Sequence, residues 1–130
     1  MRYLCLIHSE RSYEDFAEDE AAQVLREYRQ LTDDLRASGQ YLGSNRLLPA
    51  ATATTVRVRG GRLAIADGPF AETKEQLGGY YLVEARDLNE AIQVAARIPA
   101  ARHGTVEVRP VAEDAGASRG QGRAPAEARP

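Results

Sequence analysis

The chain has 130 residues and a mass of 14.2 kDa, enough for one compact domain and too little for two of ordinary size. Hydrophobic residues at 43% and charged residues at 28% are ordinary globular usage, which excludes a collagen-like chain and a wholly disordered one. Seventeen basic against nineteen acidic residues give a formal charge of −2, so the bulk attraction that draws proteins onto phosphate backbones is missing and no direct nucleic-acid binding is expected. The lone Cys5 allows neither an intrachain disulfide nor a zinc site. The apolar stretch between Arg2 and His8 is too short for a signal peptide, and no run approaches membrane-spanning length. A cytoplasmic protein with no membrane association is the expectation.

In chain order, YLCLI at 3–7 has the length and composition of a buried strand. Ala17, Ala21, Val24, Tyr28, Leu31 and Leu35 then recur at spacings of three and four, which predicts a helix from about 14 to 38. Ser12 can cap its start, Glu14 and Asp15 suit the positive end of its macrodipole, and Gly39 can close it. A second strand is expected at Tyr41–Leu48, ended by Pro49. Next comes TTVRVR-GG-RLAIAD. If Gly60-Gly61 form a two-residue turn, Val58 lies opposite Leu63 and Val56 opposite Ile65, so the apolar residues share one face and the arginines the other.

After a loop around 67–76, GGYYLVEAR predicts a strand with Tyr80 and Leu82 on one face and Tyr81, Val83 and Ala85 on the other. Apolar residues on both sides mark it as central. Asp87 at N-cap with Glu90 three positions on predicts a capping box for a second helix, closed by Pro99. TVEVRPV supplies the last strand. Residues 113–130 contain no Val, Ile, Leu, Phe or Tyr and cannot offset their own ordering entropy, so the folded unit is expected over 1–112 and a disordered tail over 113–130. The order β–α–β–hairpin–β–α–β fits an α+β ferredoxin-like sandwich with an inserted β-hairpin. Both helices then share one sheet face, and a two-fold dimer is the simplest way to cover the other.

No phosphate-binding glycine loop, zinc-protease motif, paired-cysteine motif or nucleophile elbow is present. His8 and His103 have no third nitrogen or sulfur ligand, so neither a metal nor a cofactor is expected. The densest polar stretch that follows a strand is the loop Asp67–Glu75. Read as structure, Asp67, Gly68 and Pro69 make a turn, and Phe70 anchors the loop in the core. Read as chemistry, Asp67, Glu72 and Lys74 are candidate catalytic residues: a carboxylate to take a proton, an ammonium to hold an acid group. Lys74 is the only lysine in the chain. His8, Tyr28, Phe70 and Thr73 are candidate ligand-binding residues. Cys5 reads as a small buried hydrophobe with a raised pKa. Arg57, Arg59 and Arg62 form a basic patch on the hairpin, either a solvated face or a contact for an acidic partner.

The runs DGPFAETKEQLGGYYLVE and AARIPAARHGTVEVRPV, with PAATATTVRVRGGRLAIADGPF and LRASGQYLGS before them, resemble the DGPF-type branch of the YCII-related proteins over about residues 1–111. The resemblance implies a dimeric α+β barrel with a ferredoxin-like protomer. It also implies a link to extracytoplasmic-function sigma factors, whose genes often lie beside those of the family. The wider superfamily includes enzymes resembling muconolactone isomerases and chloromuconolactone dehalogenases, with a proposed His–Asp pair. The first-helix histidine of that pair falls at Tyr28 in this sequence, so the pair is broken. Two readings follow. One is a homodimeric small-ligand-binding or regulatory module that contacts a small molecule or a sigma factor. The other is a cofactor-free isomerase or lyase acting on a small carboxylate or lactone.

Overall fold

A computed structural model of the chain describes residues 1–113. Apart from Glu113, the expected tail lies outside them. The elements run β1 (Arg2–Ser9), α1 (Glu18–Ala37), β2 (Tyr41–Arg46), β3 (Thr54–Arg59), β4 (Arg62–Asp67), β5 (Gln76–Glu84), α2 (Leu88–Ala96) and β6 (Thr105–Pro110). Four strands form one antiparallel sheet in the order β2-β5-β1-β6, and β3 pairs with β4 in a separate two-stranded ribbon. This is an α+β fold with the ferredoxin-like arrangement of two helices on a four-stranded sheet.

Alternation along β1 and β5 sorts the core. Tyr3, Cys5 and Ile7 point with Tyr81 and Val83 to the helix side and are buried there against Leu31 and Leu35 of α1 and Ala91, Val94 and Ala95 of α2. Ile98 and Ala100, in the turn after α2, complete this single core. The opposite sheet face carries Leu4, Leu6, Tyr80 and Leu82, paired Leu4↔Leu82 and Leu6↔Tyr80, and no helix among the described residues covers it. Because β5 is apolar on both sides, the face left open is apolar too and calls for a further layer.

Local chemistry sets the helix ends. The first helix begins four residues later than the expected 14. Ser12 and Asp15 bond each other instead: the Asp15 N–H donates to Ser12 O (3.0 Å) and the Ser12 N–H to Asp15 Oδ2 (2.9 Å). These bonds close a 3₁₀ turn over Tyr13–Asp15 before α1 starts. At the other end Gly39 takes φ +78°, and the Gln40 N–H reaches Leu35 O while the Gly39 N–H reaches Arg36 O, a Schellman closure. At α2, Asp87 Oδ1 accepts the Glu90 N–H (2.9 Å) as expected. The Glu90 carboxylate, however, accepts the N–H and Nε–H of Arg86, one residue before the cap. The box is therefore shifted by one residue.

β2 ends at Arg46, two residues short of the expected Leu48, although the Leu47 N–H still reaches Gly78 O. Gly79 is required beside it, because a Cβ there would lie 2.8 Å from Asn45 O. Gly104 has the same role at the start of β6, where a Cβ would meet His8 O at 2.3 Å. The ribbon has the register that its turn dictates: Val58↔Leu63, Val56↔Ile65 and Arg59↔Arg62, with Gly60 and Gly61 both at positive φ.

Candidate functional site

Two cavities border the four-stranded sheet. The first, of about 950 Å3, lies on the helix side between α1, the 3₁₀ turn at Tyr13–Asp15 and the end of β2. Its floor is aromatic. Tyr28 of α1 stacks on Tyr81 of β5 with ring centroids 6.3 Å apart and planes 6° from parallel. Thr32, one turn after Tyr28, lies 2.8 Å from the Tyr81 hydroxyl. Burial pushes the Tyr28 phenol up to about 12, against an opposing backbone hydrogen bond at Ala100, and raises Tyr81 as well.

Guanidinium groups held over aromatic rings ring the mouth. Arg46 sits 4.8 Å from the Tyr13 centroid, Arg11 4.0 Å from Phe16, and Arg36 4.7 Å from Tyr41. Arg46 also pairs with Glu14 (3.1 Å) and Arg11 with Glu20 (2.9 Å). The Glu14 carboxyl is held below its usual range, first by a backbone hydrogen bond and further by Arg46. Arg36 lines the cleft with no acidic partner among the described residues. His103 meets Phe16 edge-on at 6.0 Å on the same rim.

The second cavity, of about 1020 Å3, lies where the open sheet face meets the root of the ribbon. His8, Thr105 and Glu107 reach it from β1 and β6, and Phe70 and Thr73 from the loop after β4. His8 Nε2 is buried, makes no well-formed hydrogen bond, and lies 3.4 Å from Glu107 Oε1. Arg109, donating to Glu107 at 2.9 Å, is the main reason that this carboxyl is held low, with His8 adding to it.

The sequence candidates are thus divided. Tyr28 lines the first cavity; His8, Phe70 and Thr73 line the second. Asp67, Glu72 and Lys74 line neither, and all three are exposed. Asp67 ends β4 opposite Thr54, and the Lys74 ammonium lies 3.7 Å from Glu10 with most of its side chain in solvent. Thr73 ties its own loop, donating to Glu75 O (2.6 Å) and accepting from Gln76 Nε2 (3.0 Å). Phe70 is 83% exposed, so it is no core anchor: the loop carries it to the ribbon side, away from the helices that cover the core.

Sequence reasoning missed Thr32, Arg36, Tyr81 and Arg46. The first two were within reach, since they follow Tyr28 at i+4 and i+8 on the same side of α1. Arg46 and Glu14 are 32 positions apart and meet only in the fold. Among the described residues no three His, Cys, Asp or Glu side chains gather as a metal site, and no helix is long and apolar enough to cross a membrane.

The model of the YCII-related domain matches residues 1–114. An uncharacterised protein of Rhizobium meliloti (strain 1021) is 35% identical over 115 residues, covering 86% of this chain and 93% of the relative. On both counts, the chain belongs to the YCII-related family.

Proposed function

We propose that this DGPF-type chain is a homodimeric binding module, with a small planar carboxylate as its ligand in the aromatic cleft. The observation that carries the ligand reading is the stacked Tyr28–Tyr81 floor beneath the guanidinium groups of Arg11, Arg36 and Arg46. An apolar floor takes the flat body of such a molecule, and a guanidinium fork pairs with its carboxylate. Arg36, without an acidic partner of its own among the described residues, is the group that a ligand acid would meet at least cost.

Binding is favoured over acid–base catalysis because the shifts on Tyr28, Tyr81 and Glu14 carry each of them away from neutrality. The absence of Asp67, Glu72 and Lys74 from the lining of both cavities weighs against the isomerase or lyase alternative in the form that the loop suggested. The dimer rests on the open face of Leu4, Leu6, Tyr80 and Leu82, which two copies can bury against each other. A regulatory contact with an extracytoplasmic-function sigma factor is supported by the family resemblance alone, and would use surface that the dimer leaves free.

Thermal-shift measurements on the full chain with benzoate, muconate and their methyl esters test the ligand reading. The acids are expected to raise the melting temperature with increasing concentration, the esters are not, and Arg36→Ala removes the effect. Equal shifts from acids and esters, or none from any acid at millimolar concentration, would refute it.

A further inference from the structure

The β3–β4 ribbon has an apolar face that no described residue covers. Val56, Val58, Leu63 and Ile65 lie side by side in register, each between 58% and 65% exposed, and Phe70 beside the ribbon root is 83% exposed. The other face carries Arg57, Arg59 and Arg62. A two-stranded hairpin is marginal by itself and gains stability when its apolar face meets another layer. We infer that the ribbon is a clasp whose apolar face closes on a second copy of this chain. The inference rests on the dimer reading given above and adds the arm that holds it.

Three observations select the second copy as occupant. Residues 114–130 contain no Val, Ile, Leu, Met or aromatic residue, so that segment has nothing to pack on the ribbon. The root is fixed by the Gly68 N–H to Ala53 O and by the Thr55 hydroxyl to Gly68 O, both at 2.7 Å. That root borders the same cavity as His8, Thr105 and Glu107 of the four-stranded sheet, so a copy seated on the open sheet face comes within reach of the ribbon. Area gives the third. The four ribbon side chains and Phe70 expose roughly 600 Å2, already at the upper end of the largest patch on a typical monomer. Alone, this falls short of the roughly 800 Å2 that each partner gives to a standard interface, and a copy that also covers the open sheet face supplies the rest. With the apolar face docked, Arg57, Arg59 and Arg62 remain in water.

Sedimentation of the full chain, read with hydrogen exchange across 54–67, tests the clasp. The native chain is expected to dimerise, with ribbon exchange slowing as concentration rises. Val58→Thr with Ile65→Thr keeps β propensity and register while removing apolar contact, and should weaken dimerisation at least about tenfold. The open-face variant Leu82→Lys should abolish the dimer. If the native chain and the ribbon double variant dimerise equally and ribbon exchange ignores concentration, the clasp is wrong and the sheet-face dimer stands. A native chain that stays monomeric at every concentration overturns both. Weakening by Val58→Lys with Leu63→Lys at full retained helicity would confirm that the ribbon result is not a folding defect.

Discussion

The β1–β5 pair and the β3–β4 ribbon are built by one rule and meet opposite fates. Both are antiparallel, and in both the pleat sorts side chains by face: two apolar faces in the β1–β5 pair, one in the ribbon. Cys5 and Val83 on β1 and β5 are wholly buried, whereas the four apolar residues of the ribbon are each more than half exposed. The difference lies outside the strands. Two helices lie over one face of the four-stranded sheet, and among the described residues no element lies over the ribbon. Alternation therefore decides which side chains share a face, and a further layer decides whether that face is dry.

The largest effect expected from this contrast is a core truncation. Leu35→Ala, at a side chain 1% exposed, should cost about 2–5 kcal/mol in denaturant unfolding. Leu63→Ala on the ribbon should cost less than about 0.5 kcal/mol in dilute, dissociated protein. Equal losses from the two in dilute protein would erase the distinction.

Alkali probes the buried side alone. Burial raises the Cys5 thiol to about 11 and the Tyr28 phenol to about 12, so the folded chain favours their neutral forms. That stabilisation is complete below about pH 8, where both groups are neutral folded or unfolded, and is lost as pH rises from the unfolded values through the folded ones. Melting followed by circular dichroism should show a loss on the order of 1–3 kcal/mol by pH 11. Cys5→Ala should remove part of the slope, and a melting temperature flat from pH 8 to 11 would show that these groups are wet.

A loss well below that of the core truncation is expected at a helix end outside both regions. Asp87→Ala removes the acceptor for the Glu90 N–H and should cost about 1 kcal/mol, leaving the α2 core contacts in place. A cost near zero would mean that the shifted Glu90–Arg86 contact caps α2 by itself.

Much of the frame was legible because it depends on short-range rules. The Gly60-Gly61 turn fixed the ribbon register, and the two-faced apolar pattern of 80–85 placed β5 inside the sheet with one side uncovered. Errors arose where two local rules competed. Glu14 and Asp15 suit a first helical turn, yet Asp15 is spent on Ser12, so the helix waits until Glu18. Phe70 suits a loop anchor, yet anchoring needs a core beneath it, and none lies on that side. The site was read least well. Asp67, Glu72 and Lys74 are crowded in sequence yet line neither cavity, while Tyr28, Tyr81 and Arg46 are distant in sequence and meet in one cleft. Density along the chain reports composition; convergence needs the crossings of the fold.

Sedimentation equilibrium of the native chain at micromolar concentration tests the central claim most directly. A covered open face predicts a species of twice 14.2 kDa that dissociates on dilution. A single 14.2 kDa particle, fully folded by circular dichroism across that range, would contradict it, since the Leu4, Leu6, Tyr80 and Leu82 face would then stand stably in water.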